Sequence, residues 1–321
     1  MKFETPLFVT VACILSWSLI SVIGRAALIE YNLAPATFVF IQMISGGLAL
    51  VLLSPKRIKT IGFEPLKHFH TWAFGGLRIV SASFYVGSFL YISATNTAFL
   101  GASNVTFSVL YVWFLLGRKP KWVEVPGHII IAIAWVFLAR KIDGGFNNPG
   151  IWLLLVSQFV ITIAITLGET HPLNQNNNSG DTFYLTGMVL VASALILLIL
   201  SYLASIVEAQ LPADFYPVLR DHISGFVLKD FLNPYAWIWG FATGATFRAA
   251  AIYYSLRSVR LTSSEFYLGS MALMPFVNMA LEALLINWGY LPDVALDPYQ
   301  ILFGSIMCAA SLYIVYFKRG K

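Results

Sequence analysis

Charge is scarce in this chain: Asp, Glu, Lys and Arg make up 11% of its 321 residues, where a soluble globular domain carries about a quarter. Cysteine is scarcer still. Cys13 and Cys308 both lie in apolar runs, which excludes a disulfide framework and a Cys/His metal cluster. The five histidines are too dispersed for a convergent Ser/His or His/Asp arrangement, and the His68-His70 pair reads as a solvated loop rather than a metal site. No catalytic residue, metal or cofactor is therefore expected. The net charge of +5 does not indicate nucleic acid either, because the basic residues collect in connections on one side of the pattern that follows.

What the chain has is apolar sequence, 58% of its residues. Runs of about twenty apolar residues, each long enough to cross the roughly 30 Å hydrocarbon core as a helix, recur from end to end. Ten spans are predicted at 7–29, 36–53, 72–93, 98–116, 122–139, 150–170, 183–206, 235–256, 262–286 and 299–317. The first is read as a retained helix, since Arg25 stands where a leader's cleavage site would need small residues. With the N-terminus inside, thirteen lysines and arginines fall in inner segments and four in outer ones (Arg140, Lys141, Arg220 and Lys229). This places both termini in the cytoplasm and the protein in the cell (inner) membrane. The long connection at about 207–234 carries Phe215, Leu219, Ile223 and Phe226 at helical spacing and reads as an amphipathic helix on the outer face. Asn177-Asn178-Ser179 is a formal sequon, but the charge count puts it inside.

An internal repeat accompanies the count. Tyr91-Ile92-Ser93-Ala94 and Gly101-Ala102-Ser103 align with Tyr253-Tyr254-Ser255-Leu256 and Ser263-Ser264-Glu265 at an offset of 162, and Gly24-Arg25 aligns with Gly168-Glu169 at 144. Two five-helix halves in tandem, 1–145 and 146–321, are necessarily inverted, because an odd number of crossings starts the second half on the opposite side. The expected fold is an all-α integral membrane protein of ten transmembrane helices arranged as two inverted five-helix repeats.

Ser16-Trp17-Ser18 with Gly24-Arg25, the passage Tyr91 to Asn104, its counterpart Tyr253 to Glu265, Pro275 in mid-helix and Gly304 together resemble the drug/metabolite transporter superfamily in its ten-helix EamA-like form. The chain departs from that pattern in lacking a proline near Tyr111 and in having Asn287-Trp288 where a glutamate is often found. The resemblance implies a secondary transporter, exporting a small metabolite such as an amino acid by alternating access around a cavity lined by the third, fourth, eighth and ninth helices.

The residues point to a site of that kind. Arg248 lies about thirteen residues into the eighth span, too deep to snorkel easily, and an ionised side chain there needs a purpose. It shares a helical stripe with Gly240, Gly244, Ala251 and Ser255, flanked by Phe247 and Tyr254. A guanidinium in that place grips a carboxylate or phosphate; the structural alternative is an ion pair with Glu265. Arg78, six residues into the third span with Tyr85 on its face, either joins the cavity or snorkels to the interface. If both arginines face inward, they select anionic or zwitterionic solutes. Glu169, Glu265 and Glu282 are candidates for proton coupling or gating, or pair with neighbours, Glu282 with Arg25. Trp17, Phe84, Tyr85, Trp113, Tyr253, Tyr254 and Tyr267 suggest a second reading, an aromatic cage for a choline-like cation. The rival from another class is a membrane-embedded enzyme or lipid-modifying protein. The expected partners are a small-molecule substrate and the lipid bilayer, with no nucleic acid, in a monomer or homodimer.

Overall fold

A computed structural model describes residues 5–175, 179–210, 228–292 and 297–318. Among them every regular element is helical: α1 (Pro6–Glu30), α2 (Pro35–Leu52), the short α3 (Pro55–Thr60) and α4 (Glu64–Lys67), α5 (Phe69–Ser88), α6 (Ala94–Gly101), α7 (Asn104–Leu116), α8 (Val125–Lys141), α9 (Pro149–Thr170), α10 (Ser179–Gln210), α11 (Pro234–Thr243), α12 (Ala249–Leu261), α13 (Ser264–Ser270), α14 (Met274–Asn287) and α15 (Pro298–Lys318). Pro6, Pro35, Pro149 and Pro234 open their helices at a position whose N–H has no intrahelical partner. Beside them, Asn148 and Asn233 accept from the amides of Gly150 and Tyr235, satisfying first-turn donors.

The outside of the bundle is as apolar as its core. Phe114, Ile238 and Ile199 are exposed, and so are isoleucines along α8 and leucines along α10. In water such a surface would aggregate; in hydrocarbon it is the solvated face. Eight helical stretches are long and apolar enough to cross a membrane: Pro6–Glu30, Pro35–Leu52, Ala94–Leu116, Trp122–Lys141, Pro149–Thr170, Gly180–Val207, Ser264–Asn287 and Pro298–Phe317. Together these define an all-α membrane protein. The two long stretches outside that set, α5 and α11–α12, are those that contain Arg78 and Arg248. Three tryptophans mark helix beginnings: Trp72, Trp152 and Trp237 each donate from Nε1 to the carbonyl six residues upstream, leaving an exposed ring with its polar edge satisfied.

Side-chain links fix which helix ends lie together. Thr10 meets Ser258, Arg57 pairs with Asp181, Thr71 meets His171 and Lys121 donates to the Phe317 carbonyl, so these groups share one face, termed the N face because α1 begins there. At the far face Asn233 reaches the Tyr31 carbonyl, while Gln300 joins Asn96 and the Lys141 carbonyl. The long helices pack against one another across the chain. α5 lies against α9 and α10, as α12 lies against α1 and the π turn that follows α11 lies against α2; α2 meets α10, and α8 meets α15.

Several boundaries move. The third long helix begins at Phe69 rather than 72, which puts Arg78 deeper than its expected depth. Arg257 and Arg260 lie in the last turns of α12 rather than in a connection. The fourth and ninth long helices are each broken, at 102–103 and 271–273. Ser93 and Ser263 both cap the helices that follow, accepting from Asn96 and Phe266. These two capping serines are 170 residues apart, and Gly101-Ala102-Ser103 sits at a mid-helix break. Of the connection at 207–234, residues 207–210 finish α10 and Leu228–Leu232 form a 3-10 turn. The amphipathic pattern from Phe215 to Phe226, like Asn177 and Asn178, lies outside the described residues.

The tightest contact is between α2 and the segment Gly244–Arg248, which is a π-helix: the Ala249 amide bonds to the Gly244 carbonyl, five residues back. A Cβ built on Gly244 would lie 2.0 Å from Ser45 Oγ and 2.6 Å from Gln42 Cα, so only glycine permits this approach. Gly244→Ala is expected to cost roughly 1–3 kcal/mol of overpacking, read as a lower thermal midpoint in detergent. Gly76→Ala, whose nearest atom would be an ordinary 3.8 Å away, is expected to leave the midpoint unchanged or slightly raised.

Candidate functional site

A central cavity of about 100 Å³ lies within the bundle. α1 contributes Trp17, α5 Arg78, Ser81 and Tyr85, the α6–α7 stretch Thr97 and Asn104, α9 Ser157 and Gln158, the π turn Arg248, and α13 Tyr267. Trp17 is its fixed point. The indole Nε1 donates to Ser255 Oγ at 3.1 Å, and Ser255 in turn meets the Tyr267 hydroxyl at 2.8 Å. The Arg78 guanidinium carbon lies 4.9 Å from the Trp17 ring centre and that of Arg248 5.4 Å from it. Each contact contributes about 0.5–2 kcal/mol of cation–π attraction.

Both arginines are 2% exposed, and neither is neutralised within the cavity. Arg248 Nη2 donates to Gln42 Oε1 at 2.6 Å, and Gln42 Nε2 donates to Thr243 Oγ1 at 2.9 Å. This relay orients Arg248 with an amide instead of a charge. Arg248 Nε, Arg78 Nε and Arg78 Nη2 are buried without a protein partner. The two charges are no more than about 10 Å apart, the sum of their distances to one ring, and repel by about 2 kcal/mol at an effective dielectric of 20. Among the described residues that line the cavity none is acidic, whereas Thr97 Oγ1, Asn104 Oδ1 and Gln158 Oε1 are buried without partners.

The predicted residues divide accordingly. Arg248, Arg78, Tyr85 and Trp17 line the cavity; Tyr254 and Phe247 are not among its lining residues. Tyr254 packs instead on Tyr253 and Phe8 toward the N face. Arg78 does not snorkel: its guanidinium sits over Trp17 and Phe74. Glu265 bridges to Arg118 at 3.7 Å rather than to Arg248. Of the aromatic cage, Trp17, Tyr85 and Tyr267 meet at the cavity, but guanidinium groups already stand over the Trp17 ring. Gln42, Gln158 and Asn104 were not anticipated, because a neutral amide in an apolar run carries no distinguishing signal in one sequence.

The three glutamates sit at the two ends of the bundle. At the far face Glu282 pairs with Arg25 at 3.1 Å, both side chains 7% exposed. It also accepts from the Ala94 and Thr95 amides and the Thr95 hydroxyl, capping the N-terminus of α6. At the N face Glu169 pairs with Arg118 at 2.7 Å and accepts from the Ser264 amide and hydroxyl, capping α13. α6 and α13 thus each start against a carboxylate that is also paired with an arginine, a favourable place for negative charge. Arg118, 37% exposed, was expected only as a topological charge.

His171 joins the expected pair, its ring 5.9 Å from His68 and 5.8 Å from His70. The Thr71 hydroxyl donates to the Pro65 carbonyl, so His171 Nε2 donates to Thr71, while Nδ1 accepts from the Leu173 amide. Both nitrogens are therefore occupied, and no group of metal-ligating side chains occurs among the described residues. Burial, then the neighbouring imidazoles His70 and His68, push the His171 pKa down to about 4.

The fold and cavity define an all-α membrane protein with a polar centre. Residues 5–140 match the EamA-like transporter family. That family lies within the drug/metabolite transporter superfamily, and the match covers the first part of the chain. Members of the family are transporters, not enzymes. A solved protein crystal structure, 15% identical, is similar over 98% of this chain and 97% of its own at a TM-score of 0.60, a likeness of fold alone. No curated protein matches the chain.

Two stability predictions follow from these clusters. Glu282→Gln leaves the buried Arg25 charge without its counter-ion and is expected to cost about 3–5 kcal/mol. Arg25→Met should cost less, because Glu282 keeps its three donors from α6; midpoints in detergent decide the order. His171 binds protons less readily folded than unfolded, so its contribution to stability is full above about pH 6.5 and falls as pH drops toward 4. In the His171→Asn variant the pH slope of the midpoint should be shallower across that window.

Proposed function

We propose that the protein is a secondary transporter that moves a small polar metabolite bearing negative charge by alternating access, with Arg248 and Arg78 as its substrate anchors. One observation carries this reading: two buried guanidinium groups present unpartnered N–H donors to a central cavity between the halves. Such donors cost free energy while unsatisfied and recover it when a carboxylate or phosphate arrives. An enzyme would require a convergent nucleophile, base or metal set, and the cavity residues supply none in that arrangement. A choline-like cation would have to displace two cations from the Trp17 ring.

In this reading α5 and α11–α12 also cross the membrane, giving ten spans in two inverted halves, residues 1–145 and 146–321. The reciprocal packing of α5 on α9 and of α12 on α1 supports the inversion. The excess of lysine and arginine at the N face supports cytoplasmic termini in the inner membrane. The two carboxylate-capped helix starts then act as gates. Arg25–Glu282 closes the outer end and Arg118–Glu169–Glu265 the inner end, and each transport step breaks one while the other holds. Export is the direction favoured by the family resemblance.

Reconstitution into proteoliposomes tests the reading. Wild type should exchange an anionic member of a labelled metabolite panel saturably, and Arg248→Ala, at an unchanged thermal midpoint, should lose about 10–100-fold in rate, as expected for one charge-assisted bond of about 1.5–3 kcal/mol. Exchange that survives Arg248→Ala would reduce that arginine to a packing role.

A further inference from the structure

The cavity wall bears on the number of charges the cargo carries and on the return of the empty carrier. Arg78 and Arg248 come from different helices, share the Trp17 ring at 4.9 and 5.4 Å, and are each 2% exposed. Among the described residues no carboxylate lines the space between them. The neighbouring acids are committed elsewhere, Glu282 to Arg25 and the α6 amides, Glu169 to Arg118 and the Ser264 amide, and Glu265 to Arg118. The surplus positive charge is therefore borne by the cavity alone.

We infer that the cargo is a doubly charged anion held by both guanidinium groups at once, and that the carrier works as a one-for-one exchanger because its empty cavity retains two uncompensated charges. This rests on the transporter reading. An ammonium group entering beside the arginines would add a third positive charge, with no carboxylate to meet it and the Trp17 ring already taken by cations. A zwitterionic amino acid therefore gains at its carboxylate and loses at its amine. A single negative charge neutralises one guanidinium and leaves the other buried and uncompensated. Two negative charges complete the set, with Thr97, Asn104 and Gln158 left to read the polar groups between them. The same arithmetic forbids easy return. Closing both ends around an empty site seals two like charges in low dielectric, whereas closing around a dianion seals a neutral complex.

Dicarboxylates and phosphate monoesters share this chemistry. The test uses succinate and glycerol 3-phosphate as the two dianion probes, with acetate, glycine and choline as monoanion, zwitterion and cation, all in sodium chloride at one ionic strength. Millimolar dianion should raise the thermal midpoint of the purified protein, and the three other probes should not. Whichever of the two dianions shifts the midpoint identifies the cargo as carboxylate or phosphate. Arg78→Gln and Arg248→Gln should each abolish that shift. If either fails to fold, Arg78→Lys and Arg248→Lys, which keep the charge and lose the paired donors, should weaken it at least tenfold in concentration. In preloaded proteoliposomes, efflux of the effective dianion should be at least tenfold faster into medium containing that dianion than into medium without it.

Stabilisation by glycine or acetate equal to that by the dianions overturns the charge assignment while leaving a transporter in place. Equal efflux with and without external dianion overturns exchange and assigns chloride or water to the returning carrier. Transport of no labelled compound by protein that folds removes the transporter reading and this inference with it.

Discussion

Burying two like charges beside one indole ring is the constraint that orders the middle of this protein. A guanidinium in an apolar bundle is held only if its neighbours are organised around it, and here the organisation extends several residues outward. Trp17 is fixed by Ser255, Ser255 by Tyr267 and its own helix, and Arg248 by Gln42, which Thr243 fixes in turn. The glycine contact between α2 and the π turn brings Gln42 within reach of Arg248. Packing and electrostatics therefore cannot be varied separately here: loosening the glycine seam releases the amide that aims the arginine.

The ends of the bundle reach a similar result with the opposite bookkeeping. Glu282 and Glu169 are each paired with an arginine and also accept from the first amide of a helix, so both carboxylates are satisfied twice over. The two ends are chemically related without being alike in sequence. At the far face α1 supplies the arginine and α14 the acid; at the N face α9 supplies the acid and the end of α7 leads to the arginine. The two ends share the same kind of ion pair, while the helices that own its charges differ. A residue-by-residue comparison of the halves registers Arg25 against Glu169 as a mismatch, although the structure gives them equivalent duties.

Much of the architecture was legible because the membrane simplifies the code: length and apolarity name a span, and proline and asparagine mark where it starts. Arg248 and Arg78 announced themselves by being charged where charge is costly. Other features were illegible for definite reasons. Gln42 resembles any polar residue in an apolar run until Arg248 is seen beside it. Arg118 was counted for topology, and only the three-dimensional meeting of three helices gives it a second role. Phe247 and Tyr254 flank Arg248 on a helical wheel but do not line the cavity, because each points to a face of the helix away from that of the arginine. Short motifs rich in serine stand at helix starts, as at Ser93 and Ser263, and at a helix break, as at Ser103, so they carry little register information by themselves.

The wider turn that follows α11, the one π segment among the described residues, makes the eighth long helix sensitive to chain length. Residues 244–248 hold one residue more than an ordinary turn accommodates, so the halves on either side are out of phase with a continuous α-helix. A homologue lacking one residue here would form a smoother, locally better-bonded helix, and its C-terminal part would be rotated by about 100°. The arginine and Ser255 would then leave their common side, and Trp17 would lose both partners together. Within this segment the number of residues is itself a functional character, and a single-residue gap in an alignment would separate proteins that share this cavity from those that do not.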